Sequence, residues 1–169
     1  MRIITIGFDK GEIIALFRSK VHKVAEAFAN DENFKAVYNA KHGGDEDIVD
    51  TRISDTLYQT RLGYATALMA DYITGQNSVV YNVASGNVPN QRTNNEGNRV
   101  DSVTLSLPDT STATQPMLKD GALEYITEGM LADWTKMTVP NISKQFESTL
   151  ILAENNFKKI MYNKKAPTP

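Results

Sequence analysis

Two histidines, His22 and His42, and twenty acidic side chains are the groups from which acid–base or metal chemistry would have to be built. His22 stands four residues before Glu26, one helical turn apart, so an imidazole and a carboxylate could meet on one ion. A metal site needs three or four ligands and no third stands at a matching spacing, so His22 reads as a solvent-facing histidine on a polar helix side. Asp45-Glu46-Asp47 with Asp50, following Gly43 and Gly44, offers oxygens of the kind calcium takes. It lacks the alternating ligand spacing, the mid-loop Gly and the closing Glu of an EF-hand loop, and reads as an acidic linker. Gly7-Phe8-Asp9-Lys10-Gly11 has the glycines of a phosphate loop without its spacing, and the Asp9 carboxylate would repel phosphate. The serines form no G-x-S-x-G elbow, and neither histidine belongs to a nucleophile–base motif. Zero cysteines exclude disulfides and thiolate chemistry. The expectation is a non-enzymatic protein with no catalytic residue, no cofactor and no metal.

The elements that would position any site follow from periodicity. Ile53–Ile73 reads as one long helix with two adjacent apolar stripes, Ile53-Leu57-Tyr64-Leu68-Tyr72 and Tyr58-Leu62-Ala65-Met69-Ile73. An apolar arc that wide is expected at the centre of a bundle, with Gly63, Ala67 and Ala70 behind it admitting a neighbouring backbone. Before it, Arg2–Ile6 is a β-type segment without a local partner. Phe8-Asp9-x-x-Glu12-Ile13 carries an N-cap, its reciprocal N3 acid and a hydrophobic staple, and opens a helix that runs to about Asn30. Asp31–Ala40 reads as a short second helix, and Gly75 closes the long one.

Beyond residue 77 the pattern changes. Ser78–Ala84 and Arg99–Leu107 alternate and are β-branched, as in two strands of a hairpin. Residues 85–98 between them are polar and rich in Asn, too long for a turn, and read as a structureless loop that orders against a partner. Pro116 lies in the first turn of another helix carrying Leu123, Ile126, Met130, Leu131 and Trp134. Thr138 and Pro140 open the last one, with Ile142, Phe146, Leu150, Ala153, Phe157 and Ile160 as its stripe. The fold class expected is mainly α: a helical bundle with an inserted β-hairpin arm and an extended C-terminal tail. Residues 1–169 form a single domain, with 1–76 as strand and helices, 77–108 as the hairpin, 116–162 as the helix pair and 163–169 as the basic tail.

At 169 residues and 41% hydrophobic content the chain can bury a core without staples. The net charge of −2 argues against a strongly nucleic-acid-seeking protein, and no zinc-finger spacing, RNP aromatics or dense basic stripe appears. The opening MRIITIGF is too short an apolar run for a signal peptide, and no window reaches membrane-spanning length. The chain is therefore expected to be made and assembled in the cytoplasm. Charge is unevenly laid out, with basic stretches at both ends of an acidic middle. That suits a subunit meeting different partners at different faces, and equally a solvated surface without a message.

The order of parts resembles the head-to-tail connector (adaptor or head-completion) proteins of tailed bacteriophages, crAss-like phages among them. The residues that carry the likeness are Ala122-Leu123-x-Tyr125-Ile126-x-x-Gly129-Met130-Leu131-Ala132-Asp133-Trp134, then Pro140, then Phe146 to Tyr162, and the closing KKAPTP. The resemblance covers roughly residues 50–169 and implies a virion protein that builds a homo-oligomeric ring. Portal and tail or collar proteins would be its neighbours, and DNA would pass through the channel without sequence readout. The alternative is a small helical binding module or regulator that contacts nucleic acid or a protein through its basic termini. Contact residues expected for a partner are Ile151 and Leu152, which lie off the stripe of the last helix. Asn87, Pro89, Arg92 and Asn95 of the polar loop, and Tyr162, Lys164, Lys165 and Pro167 of the tail, complete the set. The tail reads either as a docking element stiffened by its prolines or as a frayed chain end.

Overall fold

The computed structural model describes residues 2–32, 34–35, 51–75, 80–81, 90–93 and 99–165. The fold is mainly helical, with four α-helices and a small antiparallel sheet among the described residues. Strand β1 (Arg2–Asp9) leads into α1 (Lys10–Ala27), and α2 spans Thr51–Gly75. Strands β2 (Val80–Tyr81), β3 (Asn90–Thr93) and β4 (Arg99–Leu107) follow. Helix α3 (Gln115–Thr138), a 3-10 turn (Pro140–Ile142) and α4 (Ser143–Tyr162) complete the order.

Local signals place the ends of these helices. Asp9 is extended and its carboxylate accepts from the Glu12 N–H at 3.2 Å, the cap expected from the sequence. Thr114 caps α3 by accepting from Met117 N–H, with Pro116 in the first turn. Asp31 opens a helical turn, its carboxylate accepting from Phe34 N–H at 2.8 Å and its carbonyl from Lys35 N–H. The rest of the expected short helix lies outside the described residues.

The hairpin reading holds where Val80–Tyr81 pairs with Leu105–Thr104 of β4. Two further strands join it. β1 lies antiparallel along all of β4, from Arg2 opposite Leu107 to Asp9 opposite Val100, so the segment without a local partner finds one far along the chain. On the other side of β4, Asn90–Thr93 pairs with Ser102–Arg99, so part of the stretch read as structureless is strand. The added strand that a marginal hairpin needs thus comes from the same chain, which removes that reason for expecting a partner there.

One face of the sheet lies on the helices. Ile4, Ile6 and Phe8 of β1 and Val103, Leu105 and Leu107 of β4 are buried together with Ile13, Phe17 and Val21 of α1. The centre of the bundle is α3, not α2. Helix α3 packs against α1, α2, α4 and β1, and its buried side chains point all round it. Of the two α2 stripes, Tyr58, Leu62, Ala65 and Met69 are buried, whereas Ile53 and Tyr64 of the other face outward and Leu68 is partly covered. The space beside Gly63 is open. Close approach occurs at Gly121 of α3, where an added Cβ would meet Ile160 at 3.0 Å and Phe157 at 3.1 Å.

Candidate interaction face

Helix α2 sets Arg61 and Tyr64 nearly one turn apart, and the guanidinium lies 5.2 Å from the Tyr64 ring centre. From there Arg61 reaches α3. Its Nε donates to Asp133 Oδ2 at 2.7 Å and its Nη2 to Asp133 Oδ1 at 2.5 Å, a two-point ion pair. Gly129, one turn before Asp133, makes the crossing possible, because a Cβ there would overlap the Arg61 side chain. Burial alone would weaken the proton affinity of the guanidinium, and the bond to Asp133 outweighs it, so the net shift is upward.

The Arg61–Asp133 pair walls a groove of about 380 Å³ that Lys136 of α3 and Glu147, Leu150 and Ile151 of α4 complete. A second, more apolar hollow of about 210 Å³ lies between Arg52, Ile53, Thr56 and Leu57 of α2 and Met137 of α3. Lys136 and Met137, in the last turn of α3, line one hollow each. Ile151 is 59% exposed and Leu152 61%, and Tyr64 and Met137 are each about half exposed. The groove thus combines the aliphatic Leu150 and Ile151 with charged walls of both signs.

A second cluster is buried. Asp101 of β4 is fully buried, yet it stands in phase with Val103, Leu105 and Leu107 on the inward face of the sheet. The Tyr58 hydroxyl donates to its Oδ2, while Arg99 Nε (3.0 Å) and Nη2 (2.9 Å) donate to its Oδ1. The Arg99 guanidinium also reaches the side-chain oxygen of Gln59. Burial first, and then the bond to Asp101, push the Tyr58 phenol far above the usual tyrosine range. Tyr125 is raised too, chiefly by burial. Both folded values exceed the unfolded one, so stability is intact below about pH 10 and falls above it, as the unfolded chain sheds protons that the folded chain keeps. Urea titrations at pH 8 and pH 11 should show that loss. Tyr58→Phe should flatten the decline by up to about 1.4 kcal/mol per pH unit.

The sequence-proposed contact residues fare unequally. Ile151 and Leu152 are on the outward side of α4. Arg92 lies in β3, and Asn87, Pro89, Asn95 and Pro167 fall outside the described residues. Tyr162 ends α4 half exposed, and residues 163–165 after it are bonded back to the body of the chain. Lys165 N–H donates to Thr110 O at 2.8 Å, and Thr112 N–H and Oγ1 donate to Asn163 O at 3.3 and 3.2 Å. Those bonds set Ser111 and Lys164 opposite each other in an antiparallel bridge.

His22 is exposed, and the acidic linker at 45–50 lies outside the described residues. Among the described residues no three His, Asp or Glu side chains converge on one point, and no helix is long and apolar enough to cross a membrane. The basic N-terminal stretch is partly neutralised by the acidic middle once folded. Lys10 pairs with Asp55 at 3.0 Å, Lys20 with Glu128, and Arg2 donates to the Ala113 carbonyl. Neither the Arg61–Asp133 pair nor the Asp101 cluster was anticipated from sequence. The available signals were a lone Arg between two apolar stripes and an Asp in phase with an inward-facing strand. Compared with known protein families, curated proteins and solved structures, the chain matches none.

Proposed function

We propose that the chain is a non-enzymatic structural subunit of a tailed-phage head-to-tail connector. Copies assemble into a ring between the portal and tail or collar proteins, and DNA passes through the channel without sequence readout. The observation that carries the reading is the exposure of Ile151 and Leu152 side by side on α4, next to a groove with charged walls. Two large aliphatic side chains left more than half open fit a surface that another protein covers. A heterologous contact of that patch with a different surface of the next copy, repeated around an axis, closes a ring. The order of helix, proline restart and long last helix supports the connector reading by resemblance. A regulator acting through basic termini has less support, because Lys10 and Lys20 already hold acidic partners within the fold.

Light scattering on the eluting protein tests this directly. The expected species is a multiple of the 18.7 kDa chain. Ile151→Lys with Leu152→Lys should return it to monomer while shifting unfolding stability by no more than about 0.5 kcal/mol, as for an exposed site. Monomer at every concentration tested overturns the ring reading.

A further inference from the structure

Two basic stretches far apart in the sequence meet at one end of the fold. Arg2 opens β1 opposite Leu107 of β4, and its guanidinium donates to the Ala113 carbonyl ahead of α3. Residues 163–165, which follow α4, bond to the same connecting segment. Lys165 N–H donates to Thr110 O at 2.8 Å, Thr112 N–H and Oγ1 donate to Asn163 O, and Ser111 and Lys164 stand opposite each other. The Asp109 carboxylate lies in the field of the α-amino group, of Lys165 and of Arg2. The fold thus gathers onto residues 109–113 charges that the sequence keeps apart.

The segment that receives them is built. Ser111 is buried, its N–H donates to Pro108 O at 2.9 Å and its hydroxyl accepts from Ala113 N–H at 3.2 Å. Bonds to this frame fix the backbone of Lys164 and Lys165, so less order remains to be imposed when a ligand arrives. Arg2, Lys164 and Lys165 are exposed, and Arg2 keeps donors beyond the one given to Ala113. The stretches that meet here, 1–5, 104–119 and 158–169, hold Arg2, Lys119, Lys158, Lys159, Lys164 and Lys165 against Asp109 as their one acidic side chain. Lys158 is taken up by Glu154. At about 0.1 M salt, charges more than about 10 Å away are largely screened. The local excess, and not the overall charge of −2, therefore sets the attraction at this end.

We propose that this seam binds the phosphodiester backbone of double-stranded DNA, through charge and without sequence readout. Its two strands, Thr110–Thr112 and Asn163–Lys165, carry hydroxyl, amide and ammonium groups and no aliphatic side chain. Such groups contact phosphate oxygens, and they fix position without reading bases. A tight site for an acidic peptide would add an apolar anchor pocket, which these two strands do not supply. That the seam faces the channel rests on the ring reading; the binding itself does not.

The test is fluorescence anisotropy of the full chain with a labelled duplex of arbitrary sequence, about 20 base pairs long, at about 20 mM salt. Binding is expected, and K164E/K165E should weaken it at least about tenfold and lower the slope of log K against log salt by roughly 2. K23E/K144E makes the same change in net charge at two exposed lysines elsewhere and should weaken binding no more than about threefold. Equal losses from the two pairs overturn the seam as the site, and absence of binding at the lowest salt overturns it outright. Polyglutamate that displaces the duplex at equal charge concentration overturns the assignment to nucleic acid in favour of an acidic protein. Light scattering on the same preparations separates this surface from the ring. Oligomers that ignore the duplex overturn the DNA surface and leave the ring reading standing, whereas monomers that bind it do the reverse.

Discussion

Trp134→Ala is expected to cost about 3–5 kcal/mol, the largest effect of any single substitution in this chain. Trp134 is 1% exposed and belongs to α3, the helix that touches α1, α2, α4 and β1. Removing a buried indole from the core cluster deletes its packing, and close-packed neighbours relax only partly into the space it leaves. An ordinary domain holds about 5–15 kcal/mol in all, so the variant should fold with much of its margin gone. Because Trp134 is the only tryptophan, the urea midpoint has to be followed by circular dichroism and not by indole fluorescence. A loss below about 0.5 kcal/mol, the size of a surface change, would remove α3 from the centre of the fold.

Asp101→Ala should cost about 3 kcal/mol, through polar groups and not through volume. The buried Tyr58 hydroxyl would lose its acceptor, and that orphaned group accounts for most of the loss. Arg99 adds less, since its side chain is part exposed and water can replace the carboxylate. Asp101→Asn keeps one acceptor oxygen, for Arg99 or for Tyr58 but not for both, and should cost less than Asp101→Ala, roughly 2 kcal/mol. In a double-mutant cycle, Tyr58→Phe should recover a sizeable part of the Asp101→Ala loss, because removing both partners leaves nothing unsatisfied. Strictly additive costs would show that the two side chains do not share a bond.

What could be read from the sequence was what neighbours along the chain decide. The Asp9 cap and the placing of Pro116 in the first turn of α3 rest on residues within a turn of one another. The pairing of β1 could not be read, because the alternation of Arg99–Leu107 is the same whichever strand lies beside it. Strand β3 was missed because Asn90–Thr93 has no apolar alternation at all, and its register comes from the β4 backbone. The central helix was misplaced for a different reason. Helix α3 buries Thr127 and Thr135, whose hydroxyls donate to the carbonyls of Leu123 and Ala132 within the same helix. Such residues count as polar in a periodicity, yet they are satisfied locally and cost little to bury. Helix α2 looks more central because its Ile53 and Tyr64 are apolar and nonetheless face outward. Of the interaction face, Ile151 and Leu152 stood out as off-stripe, whereas the Arg61–Asp133 wall joins two helices far apart in sequence and left only a weak local trace.

The long reach from β1 to β4 also bears on how the chain comes to be folded. Arg2 waits for Leu107, and Phe8 for Asp101, so the sheet cannot close until roughly a hundred residues separating them exist. Contacts of such sequence separation close large loops and slow the search for the native topology, even in a mostly helical protein. At synthesis rates of about 5–20 residues per second, β1 spends roughly 5–20 s outside the ribosome without its strand partner. Through that interval the Ile4-x-Ile6-x-Phe8 face is open, and it has only the early helix α1 to lie against. The capped, quickly formed α1 directly after β1 is then a shield as much as a scaffold. It covers an apolar strand during the seconds when that strand would otherwise pair with another unfinished chain.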